Sequence, residues 1–329
     1  MDATRTELTA LTFTNRIGSV VQPGILSKKD KKRTSERSCS VDNNITIKKK
    51  KSRMSETWRR LKKNKIAVAA LVLLILLFLT SFLAPILAPY PYDLQDYSSA
   101  FIRFSKEHPL GTDRLGRDVL SRLLYGSQQS LRIGVFSTAL AAVIGILLGS
   151  IAGYFGGWTD NLLMRFLDIW QGIPMFLLTV TMASVLGPSL RNTIIAISVT
   201  SMTGYARLMR ASILTVREME YIEAAVTSTA KTPRIIFKHI IPNAISPLIV
   251  SITMHMGSAV ISGAGLSFIG LGVQAPLPEW GGMISDARNF LRGYSYLALY
   301  PGLCVMITVL AFNLLGDGLR DALDPRQKR

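Results

Sequence analysis

Few residues in this sequence have both the type and the spacing to do chemistry. Met254, His255 and Met256 set an imidazole between two thioethers, and these are ligand types for soft or borderline metals such as nickel. Three consecutive residues leave a helix in different directions, so the other reading is a histidine hydrogen-bonded inside a bundle. Arg165 and Asp168 lie three apart in an otherwise apolar stretch, share one helical face and can pair near an inner gate. A charge at bilayer depth costs about 2.5–3.5 kcal/mol, so both should face the bundle or the inner interface, as a structural ion pair or as a contact on a substrate path. Glu220 and Glu223 fall on the polar side of a short amphipathic stretch, where carboxylates can accept charge-assisted hydrogen bonds from a docked partner. The sequence has no phosphate-binding G-x-x-x-x-G-K-[ST] loop, no H-E-x-x-H, no Cys-x-x-Cys and no G-x-S-x-G. No catalytic residue, resident metal or bound cofactor is therefore expected, and any ATP that drives the protein must be hydrolysed elsewhere.

The element that must position Glu220 and Glu223 is the polar interruption from Glu218 to Asn243 between two long apolar segments. Met219, Ile222 and Val226 recur at helical spacing. Thr232-Pro233 then has the form of an N-cap followed by proline at the first helical position. Ile236, Phe237, Ile240 and Ile241 supply a second apolar stripe beside Arg234 and Lys238. Behind His239, Pro242 marks the start of the next apolar segment. The expectation is two short helices joined by a turn, with stripes that pack on their own bundle or on another protein.

With 49% hydrophobic residues in 329 and a mean hydropathy of +0.31, the chain reads as an all-α polytopic membrane protein. Its net charge of +17 is concentrated at one end: residues 1–65 hold 18 Lys+Arg against 6 Asp+Glu, a net +12. That is the positive-inside signal of a cytosolic N-terminus, with attraction to anionic lipid as a secondary effect, and it argues against nucleic acid as the partner. Residues 1–53 read as a disordered basic tail, and the composition change at Met54 suggests that translation starts there. Six spans are expected: 66–89, 131–154, 161–186 with a kink at Pro174, 192–214, 244–266 and 297–315. Both termini are then cytosolic, and the 218–243 loop lies on the same side. The domains expected are 54–129 with the first span and an external segment, a five-helix core over 130–318, and a tail over 319–329. In the external parts, Asp113, Arg114, Arg117, Asp118 and Arg122 can pair among themselves beside turns at Gly111 and Gly116, either as a structural cap or as a binding site. Trp280 is expected as an aromatic anchor at the membrane interface.

Several of these stretches resemble a known family. Glu223-Ala224-Ala225 followed by His239, Pro242 and Asn243 is similar to the EAA loop of ABC importer permeases. HPLGTDRLGRDVLSRLLYG from His108, LSFIGLG from Leu266, APLPEWG and AFNLLGDGLRDALDP from Ala311 resemble its peptide/nickel branch. Together they cover residues 57–325. The family's glycine falls here on Thr229, which shifts the break between the helices to Lys231-Thr232-Pro233, and a glutamate common in peptide-type members falls on Gly263. The resemblance implies a type-1 ABC importer permease fold in the cytoplasmic membrane of a prokaryote. It also implies partners: a second homologous permease, two cytosolic ATPases docking on the loop and an extracytoplasmic solute-binding protein. The cargo it implies is di- or oligopeptides, with nickel or a metal chelate as the alternative.

Overall fold

The computed structural model describes residues 53–227 and 232–323. The tail before Arg53 lies outside them, and Met54 falls in the first described helix. The described chain is helical, and its single β-bridge pairs Thr112 with Asp118. Ten helices organise it: α1 (Arg53–Leu61), α2 (Lys65–Phe82), α3 (Val119–Phe155), α4 (Gly157–Gln171), α5 (Met175–Leu186), α6 (Leu190–Arg217), α7 (Glu220–Thr227), α8 (Ser246–Phe268), α9 (Trp280–Ala287) and α10 (Tyr296–Leu323).

By length and composition α2, α3, α8 and α10 can each cross a membrane, and α4 with α5 makes a fifth span if the pair is counted as one. The expected kink at Pro174 is a break, with the two helices meeting at 86°. Proline has no N–H to donate and its ring crowds the preceding turn, so α4 ends at Gln171 and α5 starts after Pro174. The expected fourth span is α6, 28 residues long but too polar to qualify on composition. Thr193, Ser198, Thr200 and Thr203 are buried there, and the first three hydrogen-bond within the bundle. Ser198 Oγ donates to the Ser137 carbonyl at 3.0 Å, and Thr179 Oγ1 donates to Thr200 Oγ1 at 3.0 Å. A second difference lies at α3, which begins at Val119 instead of 131 because Asp118 caps it, Oδ2 accepting from Ser121 N–H at 2.7 Å.

The bundle centres on the contact between α3 and α6. A Cβ on Gly145 would lie 2.4 Å from Tyr205 Cβ, and one on Gly149 would lie 2.3 Å from the Ala206 carbonyl oxygen. Backbone cannot yield as a flexible side chain can, so only glycine allows this approach. Gly263, where the resemblance leads one to expect a glutamate, is filled in the same way: a Cβ there would meet Ile133 Cγ2 at 2.6 Å, so α8 touches α3 at this point. At the other end α9 covers α3. Trp280, expected at the membrane interface, is instead 1% exposed and donates Nε1–H to the Leu123 carbonyl at 3.1 Å.

Overpacking a tight contact of this kind costs about 1–3 kcal/mol or more. Gly149→Val should therefore lower the melting temperature of the detergent-purified protein clearly. Gly204→Ala, on the same helix pair but with nothing within 4 Å of its added Cβ, should leave it unchanged. Equal melting temperatures for the two variants would contradict the close approach.

Candidate coupling loop and transport face

The loop after α6 packs on its own bundle. Ile222 of α7 joins Ile235, Ile240 and Ala244 from the second segment, and all four bury against Met209, Ile213 and Val216 of α6 and Leu248 of α8. Ile222 and Ile240 are 2% and 0% exposed. The expected stripes are corrected in detail. Met219 and Phe237 were assigned to them, yet Met219 is 43% and Phe237 60% exposed, while Ile235, not counted, is buried. With Tyr221 at 42%, Met219 and Phe237 leave apolar side chains exposed on the loop. Glu220 is exposed beside them.

Glu223, Ala224 and Ala225 lie on the backbone of α7, but their side chains and Thr229 fall outside the described residues. Thr232 is the first residue of a helical turn, Thr232–Arg234, rather than its cap. From Ile235 to Ile240 the chain winds as a π-helix, Ile241 N–H reaching back to the Ile236 carbonyl. Pro242 next to it has no N–H for an α-helical bond, and the π-turn, rare in general, falls where the ladder is interrupted. Asn243 Nδ2 donates to the His239 carbonyl at 2.6 Å, serving an acceptor at that interruption. His239, Pro242 and Asn243 thus shape the second helix of the loop.

The charged residues pair across helices. Asp168 accepts from Arg207 Nη2 at 2.6 Å, whereas Arg165, its expected partner, is exposed and takes part in no ion pair among the described residues. Asp160 binds Arg210 through two bonds, from Nε at 2.5 Å and from Nη2 at 2.6 Å. Arg217 Nη1 donates to the Tyr154 carbonyl at 3.1 Å. Partners 39 and 50 residues apart carry no periodic signal. The only hint was an acid-bearing α4 next to a base-bearing α6. These bonds tie the last turns of α6 to α3 and α4 just before the loop begins.

A cavity of about 1110 Å³ opens between α1, the end of α6, α8 and α10. Met219 and Asn243 of the loop line it at one end, and Ser251, Met254, His255 and Ser258 line it along α8. The structure therefore brings Met254 and His255 together on this cavity. Met256 does not join them; it packs with Leu74, Leu131 and Phe312. The His255 ring meets Tyr205 edge to face, with centroids 5.1 Å apart. At the opposite end of the bundle, Asp113 pairs with Arg117 at 2.7 Å and with Arg122, and Asp286 reaches both arginines at 3.6 Å. Asp118, expected in that set, bonds His108 Nδ1 at 3.0 Å while capping α3. Gly111 and Gly116 hold the turns there at φ of 82° and 70°, a region that favours glycine.

The two ion pairs of α6 with α4 should differ in weight. Asp160 is 14% exposed and bound at two points, so Arg210→Gln should cost on the order of 1–3 kcal/mol, read as a lower melting temperature and partly restored by adding Asp160→Asn. Asp168 and Arg207 are each about half exposed, and Arg207→Gln should cost under about 1 kcal/mol. Arg165→Gln should cost nothing measurable, and a loss there matching that of Arg207→Gln would contradict the pairing.

Comparison with known proteins fits this geometry. Residues 145–329 match the family model described as the binding-protein-dependent transport system inner membrane component. Residues 52–107 match the N-terminal TM domain of oligopeptide transport permease C. A dipeptide transport system permease protein, DppC, of Alkalihalophilus pseudofirmus is 43% identical over 273 residues, covering 83% of this chain and 90% of that one. The glutathione transport system permease protein GsiD of Pectobacterium atrosepticum is 41% identical over 274 residues, covering 83% and 91%. Among solved structures, an inward-facing MetNI methionine ABC transporter aligns with a TM-score of 0.51 at 20% identity, covering 62% of this chain and 97% of its own, which shows a shared fold. The chain is thus a multi-pass permease of the bacterial inner membrane, belonging to the family of binding-protein-dependent transport system inner membrane components.

Proposed function

We propose that this chain is one permease subunit of an ATP-driven importer of di- or oligopeptides. In this reading six spans place both termini and the 218–243 loop in the cytosol. A second homologous permease completes the passage, two ABC ATPases dock on the loop and a solute-binding protein delivers cargo outside. Glu220, Glu223, Ala224, Ala225, Thr229, His239, Pro242 and Asn243 belong to the docking element, together with the exposed Tyr221 and Phe237. One cavity is lined by Glu56 of α1, Met219 and Asn243 of the loop and Leu323 of α10, which supports setting both ends of the described chain on the loop's side.

The cavity carries the proposal. Along its length it offers hydroxyls and amides, from Ser246, Ser251, Ser258, Asn243 and Asn313. Such groups donate and accept, as a peptide backbone requires, without selecting a particular side chain. Of its charged residues, Glu56 and Arg60 pair with each other at 2.8 Å. Relatives named for dipeptide and di/tripeptide transport agree with this cargo. Nickel is the second reading, and it rests on Met254 and His255 facing the same space.

Reconstitution with the ATPases and the binding protein in proteoliposomes tests the proposal. Labelled dipeptide uptake should require ATP. Ser251→Trp should obstruct the cavity along α8 and lower uptake clearly while the ATPases still co-purify. His255→Ala should leave dipeptide uptake intact. ATP-dependent nickel uptake that His255→Ala abolishes, with no dipeptide uptake, would replace the peptide reading with the metal one.

A further inference from the structure

Helix α1 is an element that neither the cavity nor the loop explains. It is separate from the span that follows: α1 ends at Leu61, and Asn64 caps α2, Oδ1 accepting from Ile66 N–H at 3.1 Å and from Ala67 N–H at 3.2 Å. One side of α1 is anchored: Leu61 is 4% exposed and packs with Ala67 of α2 and with Leu319 and Ala322 of α10. A second side, Glu56, Thr57 and Arg60, lines the mouth of the cavity.

The remaining side presents Trp58, 48% exposed, with Lys62 Nζ 5.3 Å from its ring centroid. Arg59, Lys62, Lys63 and Lys65 are exposed within seven residues of it along the chain, and none pairs with a carboxylate among the described residues. The segment therefore joins exposed cations, unpaired among the described residues, to an amphipathic ring. It stands immediately before the first residues of an apolar span, since α2 begins at Lys65. That is the depth of lipid headgroups, where an indole straddles polar and apolar layers and cations meet anionic lipid.

We propose that Trp58, Arg59, Lys62, Lys63 and Lys65 form a binding surface for anionic phospholipid headgroups, and that the bound lipid holds α1 in place at the cavity mouth. The position, with Lys62, Lys63 and Lys65 within a turn of the start of the apolar span and Trp58 seven residues before it, favours lipid over an acidic protein surface, which would have to reach past the headgroups to cover Trp58. The proposal requires α2 to cross the membrane and does not depend on the cargo. Each cation near an anionic surface contributes roughly a fivefold preference, screened by salt.

The test uses the full-length chain in nanodiscs, which expose both leaflets and so make the result independent of orientation. The chain has four tryptophans, and the difference between wild type and Trp58→Phe isolates the Trp58 fluorescence. Brominated phosphatidylglycerol should quench this component more strongly than brominated phosphatidylcholine, and salt should erode the difference. Lys62→Gln with Lys63→Gln should lower the preference by roughly fivefold per charge removed. Arg59, Arg60 and Lys65 remain in that variant to keep the basic flank of α2. Equal quenching by the two lipids in wild type would overturn the proposal, and this arm needs no charge variant to fold. A double variant that folds, keeps its lipid preference and instead loses co-purified ATPase would also overturn it, assigning the face to a protein.

Discussion

The structure depends on one constraint, the close approach of α3 and α6 across Gly145, Gly149 and Gly153. In a membrane there is no hydrophobic gain from bringing two helices together, so association rests on packing and on satisfied polar groups. Glycine supplies the first by letting Tyr205, Ala206, Met209 and Ile213 sit against the α3 backbone. Ser198 bonding to the Ser137 carbonyl supplies the second. The polar α6 can occupy the middle of the bundle because α3 covers it. At its far end Arg210 is clamped by Asp160, so α6 enters the loop from a fixed position.

The loop inherits that fixity. Ile222, Ile235 and Ile240 pack on the last turns of α6 and on Leu248 of α8, so the two short helices form an extension of the bundle instead of a flexible connection. What they leave exposed is correspondingly specific: Met219, Tyr221 and Phe237, with Glu220 beside them. A push on those side chains would reach α6 and α8 through packed core, and α8 carries one wall of the cavity. Under the proposed docking, the loop would thus have a mechanical route to the cavity.

Much of this was legible in the sequence wherever the signal is local. Apolar length located α2, α3, α8 and α10, and helical spacing found both helices of the loop. The turns ahead of α3 were readable because Gly111 and Gly116 mark them by themselves. The rest required three dimensions. The stripe on the second loop helix was misjudged because π-winding over Ile235–Ile240 rotates the side chains relative to α-spacing, burying Ile235 and exposing Phe237. Asp168 was matched to Arg165 because three residues apart is the range over which sequence shows a pair, while its true partner Arg207 stands on another helix. Trp280 suggested an interface anchor by type alone. Its burial follows from α9 folding back onto α3, which nothing in its own neighbourhood announces.

The central claim is that one side of the loop is committed to its own bundle while the other is kept for a partner. Single cysteines at Ile240 and Phe237, in a chain whose Cys39 and Cys304 are replaced by serine, test it most directly through their rate of thiol labelling. The account predicts that Ile240→Cys resists labelling in the isolated subunit, and that Phe237→Cys labels readily until the ATPase subunits are added and is then protected. Fast labelling of Ile240→Cys in the isolated subunit, or a Phe237→Cys that stays equally reactive in the assembled complex, would contradict it.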